Sequence, residues 1–233
     1  MAEKRAAPLV IFDCDGVLVD SEPIANRVLA ELLTRAGVPT TTEESMRRYT
    51  GRSVAEIVAG LEEDLGHKLC DDGSDFVEAY RAGVFAGFHE GLRPIEGVAQ
   101  ALEQVVGFVG PAGSAPRICV ASGSRPDRVE LSLRLTGLHG HFEGRIFSTV
   151  QVPRGKPHPD VFLYAAKQMG SPPAACLVVE DTVYGARAGM AAGMKVLGYC
   201  SVDGSDSAAL QAEGARVFGS MRELPGLISD WLK

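Results

Sequence analysis

Short apolar segments alternate with helical patterns along most of this chain, and that alternation limits the possible folds more than any other feature. The predicted strands are residues 9–12, 118–121, 176–179, 195–198 and 216–218. The predicted helices between them lie near residues 96–107, 126–136, 159–169 and 184–192. Strands that are apolar along their whole length are typical of a parallel sheet with helices on both faces. The pattern therefore predicts an α/β fold with a Rossmann-like parallel-sheet core.

One long segment interrupts the alternation. Residues 20–94 contain no strand pattern, but they contain helical patterns at 24–36, 42–48, 54–65 and 74–88. An ordinary connection between a strand and a helix in such a fold has roughly 2–6 residues. We therefore predict an all-helical domain at 20–94, inserted into a core made of residues 1–19 and 95–233, with hinges near Val19–Ser21 and Gly91–Pro94.

Charge and cysteine usage exclude several classes of protein. The chain has 23 lysines and arginines against 30 aspartates and glutamates, a net charge of −7. Nucleic-acid binders usually present a basic face, so this balance argues against one. The longest run without an acidic or basic residue, Gln104–Pro116, is too short to span a bilayer. The five cysteines form no C-x-x-C pair, which argues against a zinc site or a disulfide framework and favours a cytoplasmic location.

Acidic residues follow two of the predicted strands. Asp13 and Asp15 come directly after the first strand, and Glu180 and Asp181 follow the third. Ligands of open α/β sheets bind beyond the carboxyl ends of the strands, so these four carboxylates are expected to converge there. Carboxylates this close together need a cation or a proton between them, and Mg²⁺ prefers oxygen ligands. Taken singly, each pair could also be a solvated loop pair or a helix cap.

Two further segments could bind an anion. Ser122 starts a Ser-Gly-Ser triplet at the end of the second predicted strand, where a hydroxyl and free N–H groups precede a helix. Lys156 lies in Gly-Lys-Pro-His-Pro-Asp, where Pro157 and Pro159 restrict the backbone. An ammonium held at such a bend could bind a phosphate oxygen beside carboxylates. Alone, either segment could equally be an ordinary surface loop.

Together these segments resemble the haloacid dehalogenase superfamily of phosphotransferases. The resemblance consists of four blocks in the family's order, which are Asp13–Ser21, Ser122, the Lys156 segment, and Val179–Thr182 with Gly185 and Gly189. The inserted helices resemble the cap of the subfamily that contains β-phosphoglucomutases and small sugar-phosphate phosphatases. The resemblance covers nearly the whole chain.

This resemblance implies a Mg²⁺-dependent phosphatase that hydrolyses a small phosphorylated metabolite, a sugar phosphate or phosphorylated sugar acid, through an aspartyl-phosphate. Asp13 would be the nucleophile and Asp15 the general acid and base. Ser122 and Lys156 would bind the transferring phosphoryl group. The Mg²⁺ ligands would be Asp13, the backbone carbonyl of Asp15 and Asp181, with Glu180 bound either directly or through another ligand. We expect a monomer or a small homo-oligomer with no nucleic-acid or membrane partner.

The cap of this subfamily selects the substrate. Residues 51–53 resemble its specificity loop, so Arg52 is a candidate substrate-binding residue. The mutases carry a histidine and an arginine at cap positions where this chain has Ala25 and Val54. The departure favours hydrolysis, with a β-phosphoglucomutase-type phosphotransferase as the alternative.

Two other interpretations are weaker. The segment Cys119–Arg125 also matches the C-x5-R loop of cysteine-dependent phosphatases. A response-regulator receiver would likewise combine an acidic pocket with a Ser and a Lys, and would keep a long-lived phospho-Asp13 as a signal. The first leaves the four carboxylates without a role, and the second does not account for the inserted helices.

Overall fold

The structure is a computed structural model that describes residues 7–50, 52–69, 73–108, 115–200 and 207–233. The chain divides into two compact units. The first consists of Met1–Val19 and Pro94–Lys233, and the second of Asp20–Arg93. Within the described ranges, no helix combines the length and the apolar character needed to cross a membrane.

Within its described residues, the first unit contains a six-stranded sheet. Its strands are β1 (Leu9–Phe12), β2 (Arg117–Ser122), β3 (Ile146–Ser148), β4 (Cys176–Glu180), β5 (Lys195–Tyr199) and β6 (Arg216–Phe218). Every neighbouring pair is parallel, and the spatial order is β3-β2-β1-β4-β5-β6. The predicted α/β fold with a Rossmann-like parallel sheet is confirmed.

Strand β1 lies at the centre of the sheet. All four of its residues are completely buried, as expected for an apolar strand covered on both faces. Phe12 pairs in register with Val120 of β2 and Val179 of β4. The residues that follow β1 and those that end its two neighbours therefore emerge at the same edge of the sheet.

Among the described residues of the first unit, six α-helices lie between or after the strands. They are α5 (Val98–Gly107), α6 (Pro126–Leu135), α7 (Asp160–Gln168), α8 (Val183–Ala191), α9 (Ser207–Ala212) and α10 (Leu224–Leu232). Alternate strand residues, including Ile11, Cys119 and Val178, pack against Phe162 of α7 and Ala188 of α8. This packing fixes the loops that lead into α7 and α8, which carry two of the predicted site segments.

All the regular secondary structure described in the second unit is α-helical. Its helices are α1 (Glu22–Arg35), α2 (Thr42–Tyr49), α3 (Val54–Leu65) and α4 (Gly73–Gly91). Helices α2 and α3 each begin with a reciprocal capping box, formed by Thr41 with Glu44 and by Ser53 with Glu56. Leu33, Ile57 and other apolar residues form a separate core for this unit.

Among the described strands and α-helices, the sequence patterns missed β3, α9 and α10. Strand β3 has only three residues and lies at the edge of the sheet, where it pairs with β2 alone. A strand of three residues gives little periodic signal, although the equally short β6 was predicted. The predicted surface loop at Gly107–Pro116 lies mostly outside the described residues.

Candidate active site

Asp13 directly follows β1 and extends its pairing. Its N–H donates to the carbonyl of Val179 at 2.9 Å, which holds its backbone beside the end of β4. The residue is only 6% exposed. Burial raises the pKa of Asp13 from its ordinary 3.8 to about 7, although the charge of Lys156 opposes that rise. Asp13 is thus a poorly solvated carboxylate in need of a positive partner.

Gly16 makes room for a second carboxylate beside this strand end. It adopts a φ of +79°, which side-chain-bearing residues rarely adopt. A Cβ at this position would lie 2.0 Å from Oδ2 of Asp181. The glycine therefore allows both the sharp turn after Asp15 and the close approach of Asp181.

Glu180 is a completely buried carboxylate with both oxygens bonded. Its Oε2 accepts hydrogen bonds from the N–H of Asp181 at 3.0 Å and from the N–H and Oγ1 of Thr182, each at 2.9 Å. Its Oε1 accepts one from Lys156 at 2.6 Å. A buried charge is tolerated only when it is paired and hydrogen-bonded, and Glu180 meets both conditions.

Lys156 joins the two strand ends. Its Nζ donates to Oδ1 of Asp13 and to Oε1 of Glu180, at 2.6 Å each, and lies 5.0 Å from the ring centroid of Phe162. Burial alone would lower the pKa of Lys156, but the charges of Asp13 and Glu180 outweigh it and raise the pKa above its usual value. The side chain therefore stays an ammonium ion between the carboxylates.

The acidic residues fit a divalent cation. Carboxylate oxygens of Asp13, Glu180 and Asp181 all lie within 4.8 Å of one another. Such a set of hard oxygen donors suits Mg²⁺. Both oxygens of Glu180 already accept hydrogen bonds, whereas the bond of Asp13 to Lys156 uses Oδ1, so Asp13 and Asp181 are the better candidates for direct ligands.

Asp15 differs from the other three acids. Its carboxylate is not part of that acidic group, and it accepts hydrogen bonds from Ser124 Oγ at 2.6 Å and from Arg128 Nη2 at 3.1 Å. Ser122 is buried, and its Oγ accepts from the N–H of Ser124 at 3.0 Å. Sequence reasoning did not find Arg128, because an arginine in the first turn of a helix gives no distinguishing signal.

Family comparison agrees with this geometry. A model of haloacid dehalogenase-like hydrolases matches residues 7–193, which include β1, β4 and every acidic residue of the site. The chain belongs to the haloacid dehalogenase-like hydrolase family. The predicted family resemblance is confirmed.

Relatives of this haloacid dehalogenase-like hydrolase include proteins named as phosphatases. It is 32% identical over 192 residues to the 6-phosphogluconate phosphatase of Escherichia coli, covering 82% of each chain. It is 31% identical over 192 residues to hexitol phosphatase A of E. coli, covering 80% of each. A solved haloacid dehalogenase-like protein of Agrobacterium tumefaciens superimposes with a TM-score of 0.81 at 33% identity, covering 97% of this chain and 100% of that one.

The predicted substrate residue Arg52 belongs to the second unit. Its N–H donates to the carbonyl of Tyr49 at 3.1 Å, and its side chain is exposed. Gly51 of the predicted specificity loop lies outside the described residues. The role of Arg52 in this hydrolase stays a prediction.

Cys119 does not have the surroundings of a nucleophile. It is completely buried inside β2, and burial raises the pKa of its thiol well above the usual value. Nucleophilic cysteines instead have a lowered pKa and partial exposure. The structure therefore argues against the cysteine-phosphatase interpretation of this hydrolase.

Proposed function

We propose that this hydrolase is a Mg²⁺-dependent phosphatase of small phosphorylated sugars, polyols or sugar acids, and that it works through a phosphoryl group carried on Asp13. The observation that supports this proposal is the buried contact of Asp13 with Lys156 beside Glu180 and Asp181. This arrangement places the Asp13 carboxylate, which would act as the nucleophile, next to the Lys156 ammonium ion and next to carboxylates that could bind Mg²⁺.

Two displacements at phosphorus complete the reaction. In the first, an oxygen of Asp13 forms a bond to phosphorus as the bond to the substrate oxygen breaks, and Asp15 gives its proton to that leaving oxygen. In the second, Asp15 takes a proton from water as the water oxygen bonds to phosphorus and the bond to Asp13 breaks. The products are an alcohol and inorganic phosphate, and Asp13 and Asp15 return to their starting states.

Repulsion between a carboxylate and a phosphate dianion opposes the first displacement. Lys156 reduces it, because its ammonium lies 2.6 Å from Asp13 and is held there by Glu180. Mg²⁺, held by Asp13, Asp181 and the backbone carbonyl of Asp15, would supply the remaining positive charge on the phosphoryl oxygens. Ser122 would donate its hydroxyl to the same group.

The names of the relatives support the substrate class. The phosphatase names confirm the predicted enzyme class, a phosphoric monoester hydrolase. Both 6-phosphogluconate and the hexitol phosphates are phosphate monoesters of open-chain polyhydroxy compounds. We therefore place such compounds first among the substrates. The second unit would serve as the cap that selects among them, with Arg52 as a candidate contact.

A phosphate-release screen tests the proposal. Purified protein is assayed with 6-phosphogluconate, hexitol phosphates, cyclic sugar phosphates and phosphoglycolate, with Mg²⁺ or with EDTA. We expect turnover of at least one polyhydroxy phosphate, its loss in EDTA with recovery on adding Mg²⁺, and no turnover by Asp13→Asn. Activity that survives EDTA or Asp13→Asn would overturn the mechanism.

Two further measurements on the purified protein test the mutase and the receiver alternatives. Isomerisation of β-glucose 1-phosphate with glucose 1,6-bisphosphate, faster than phosphate release, would indicate a mutase. A phospho-Asp13 that persists without turnover would indicate a receiver.

A further inference from the structure

Both carboxylate oxygens of Asp15 are occupied by side chains of one neighbouring segment. Ser124 Oγ donates to Oδ2 at 2.6 Å, and Arg128 Nη2 donates to Oδ1 at 3.1 Å. The Asp15 and Arg128 side chains are only 19% and 21% exposed, so solvent screens their charges weakly. Two bonds to different oxygens fix the torsion of the carboxylate, which a single bond would leave free to rotate.

The donors are themselves held in place. Arg128 lies in the first turn of α6, where Pro126 begins the helix, and its carbonyl accepts from Ser132 Oγ at 2.9 Å. The carbonyl of Ser124 accepts from Ser148 Oγ at 2.6 Å, which ties this segment to the end of β3. The contact with Asp15 therefore comes from a part of the fold anchored on two sides.

We propose that Arg128, together with Ser124, is a positioning residue that holds the carboxylate of Asp15 where proton transfer occurs. The inference deepens the proposed function and rests on it, since it assumes that Asp15 serves both displacements. A proton donor must lie within hydrogen-bond reach of the reacting oxygen, and small misplacements are costly.

Loss of this contact should affect the two displacements unequally for one class of substrate. The leaving oxygen of a sugar phosphate needs a proton, whereas p-nitrophenolate leaves without one. With p-nitrophenyl phosphate, formation of the phosphoryl-Asp13 species should therefore tolerate a misplaced Asp15. Its hydrolysis should not, because water still has to give up a proton.

The experiment compares Arg128→Met, Arg128→Lys and wild type in steady-state and rapid-mixing assays. We expect Arg128→Met to lower kcat for the best sugar or polyol phosphate by about 10- to 100-fold, with KM within about twofold. With p-nitrophenyl phosphate we expect a burst of one nitrophenolate per active site before a slow steady state. Arg128→Lys keeps one charged donor and should recover part of kcat and reduce the burst.

Arg134→Met is the matched control. It removes the same charge from the same helix, where Arg134 is 60% exposed and faces Glu130 instead, and should behave like wild type. Circular dichroism and thermal melting check that each variant is folded.

Three outcomes would overturn the inference while leaving the proposed function standing. They are an unchanged kcat in folded Arg128→Met, a raised KM at constant kcat, and a lowered kcat with no burst. A raised KM would make Arg128 a substrate contact, and a missing burst would show that the first displacement is the slowed step. If wild type itself releases no phosphate from any substrate, the proposed function fails first.

Discussion

Gly185 of α8 lies directly against the carboxylate of Glu180, so that a Cβ on Gly185 would come within 1.8 Å of Oε1 and 1.9 Å of the carboxyl carbon. That same Oε1 accepts a hydrogen bond from Nζ of Lys156 at 2.6 Å. The absence of a single methyl group therefore allows the buried carboxylate that holds the ammonium beside Asp13. This relationship explains why a helix that begins beside the site carries a glycine in its first turn.

Gly185→Ala should displace Glu180 and with it Lys156. We expect a loss of stability of roughly 1–3 kcal/mol, because the added methyl group has no room, together with a large fall in kcat. Urea unfolding and phosphate release measure the two effects.

Gly226→Ala is the matched control, because Gly226 also lies in the first turn of a helix but has open space around the Cβ position. It should raise stability by up to about 1 kcal/mol and leave kcat unchanged. Equal behaviour of the two variants would contradict the role assigned to Gly185.

The pKa of Asp13, raised to about 7 by burial, predicts how metal binding depends on pH. Between its ordinary 3.8 and about 7, the folded metal-free protein keeps a proton that the unfolded chain releases. The stability contributed by this group therefore falls as pH rises through that window. A divalent cation needs ionised Asp13 and must displace the proton below about pH 7.

We therefore expect Mg²⁺ to raise the melting temperature more at pH 8 than at pH 6. Thermal shift measurements with and without Mg²⁺ at the two pH values test this expectation. Asp13→Asn should abolish the difference, and an equal Mg²⁺ shift at both pH values in wild type would be inconsistent with Asp13 as a ligand.

The thiol of Cys119 should play no part in turnover. Because burial raises its pKa and removes it from solvent, iodoacetamide should leave Cys119 unmodified in the folded protein. Cys119→Ala should keep most of the activity. Peptide mapping and phosphate release check both points, and inactivation that follows labelling of Cys119 would restore the cysteine mechanism.

Tyr49 has a buried hydroxyl with no hydrogen-bond partner among the described residues. An unsatisfied buried polar group costs free energy that an apolar group of the same shape would not. Tyr49→Phe should therefore stabilise the protein by roughly 1 kcal/mol.

Tyr49→Ala, which removes the ring from the core of the second unit, should destabilise it by about 3–5 kcal/mol. Urea unfolding distinguishes the two variants. A loss of stability in Tyr49→Phe would mean that the hydroxyl has a partner, such as bound water.

The local sequence determined the chemistry of this protein and the order of its parts. The apolar runs predicted β1, β2 and β4, because buried strands must be apolar along their length, and shorter apolar runs predicted β5 and β6. Asp13 and Glu180 could be placed at one edge of the sheet, because parallel strands end on the same side. These patterns did not predict the short edge strand β3 or helices α9 and α10.

Only the tertiary structure decided which of these groups touch. Lys156 contacts Asp13 although the two residues are 143 positions apart in the sequence, and Arg128 contacts Asp15 although they are 113 positions apart. Local periodicity says which face of an element is buried, but not which residue of a distant loop will be packed against it. The close contact of Glu180 with Gly185 and the hydrogen bonds from Ser124 and Arg128 to Asp15 therefore form only when helices α6, α7 and α8 pack onto the sheet.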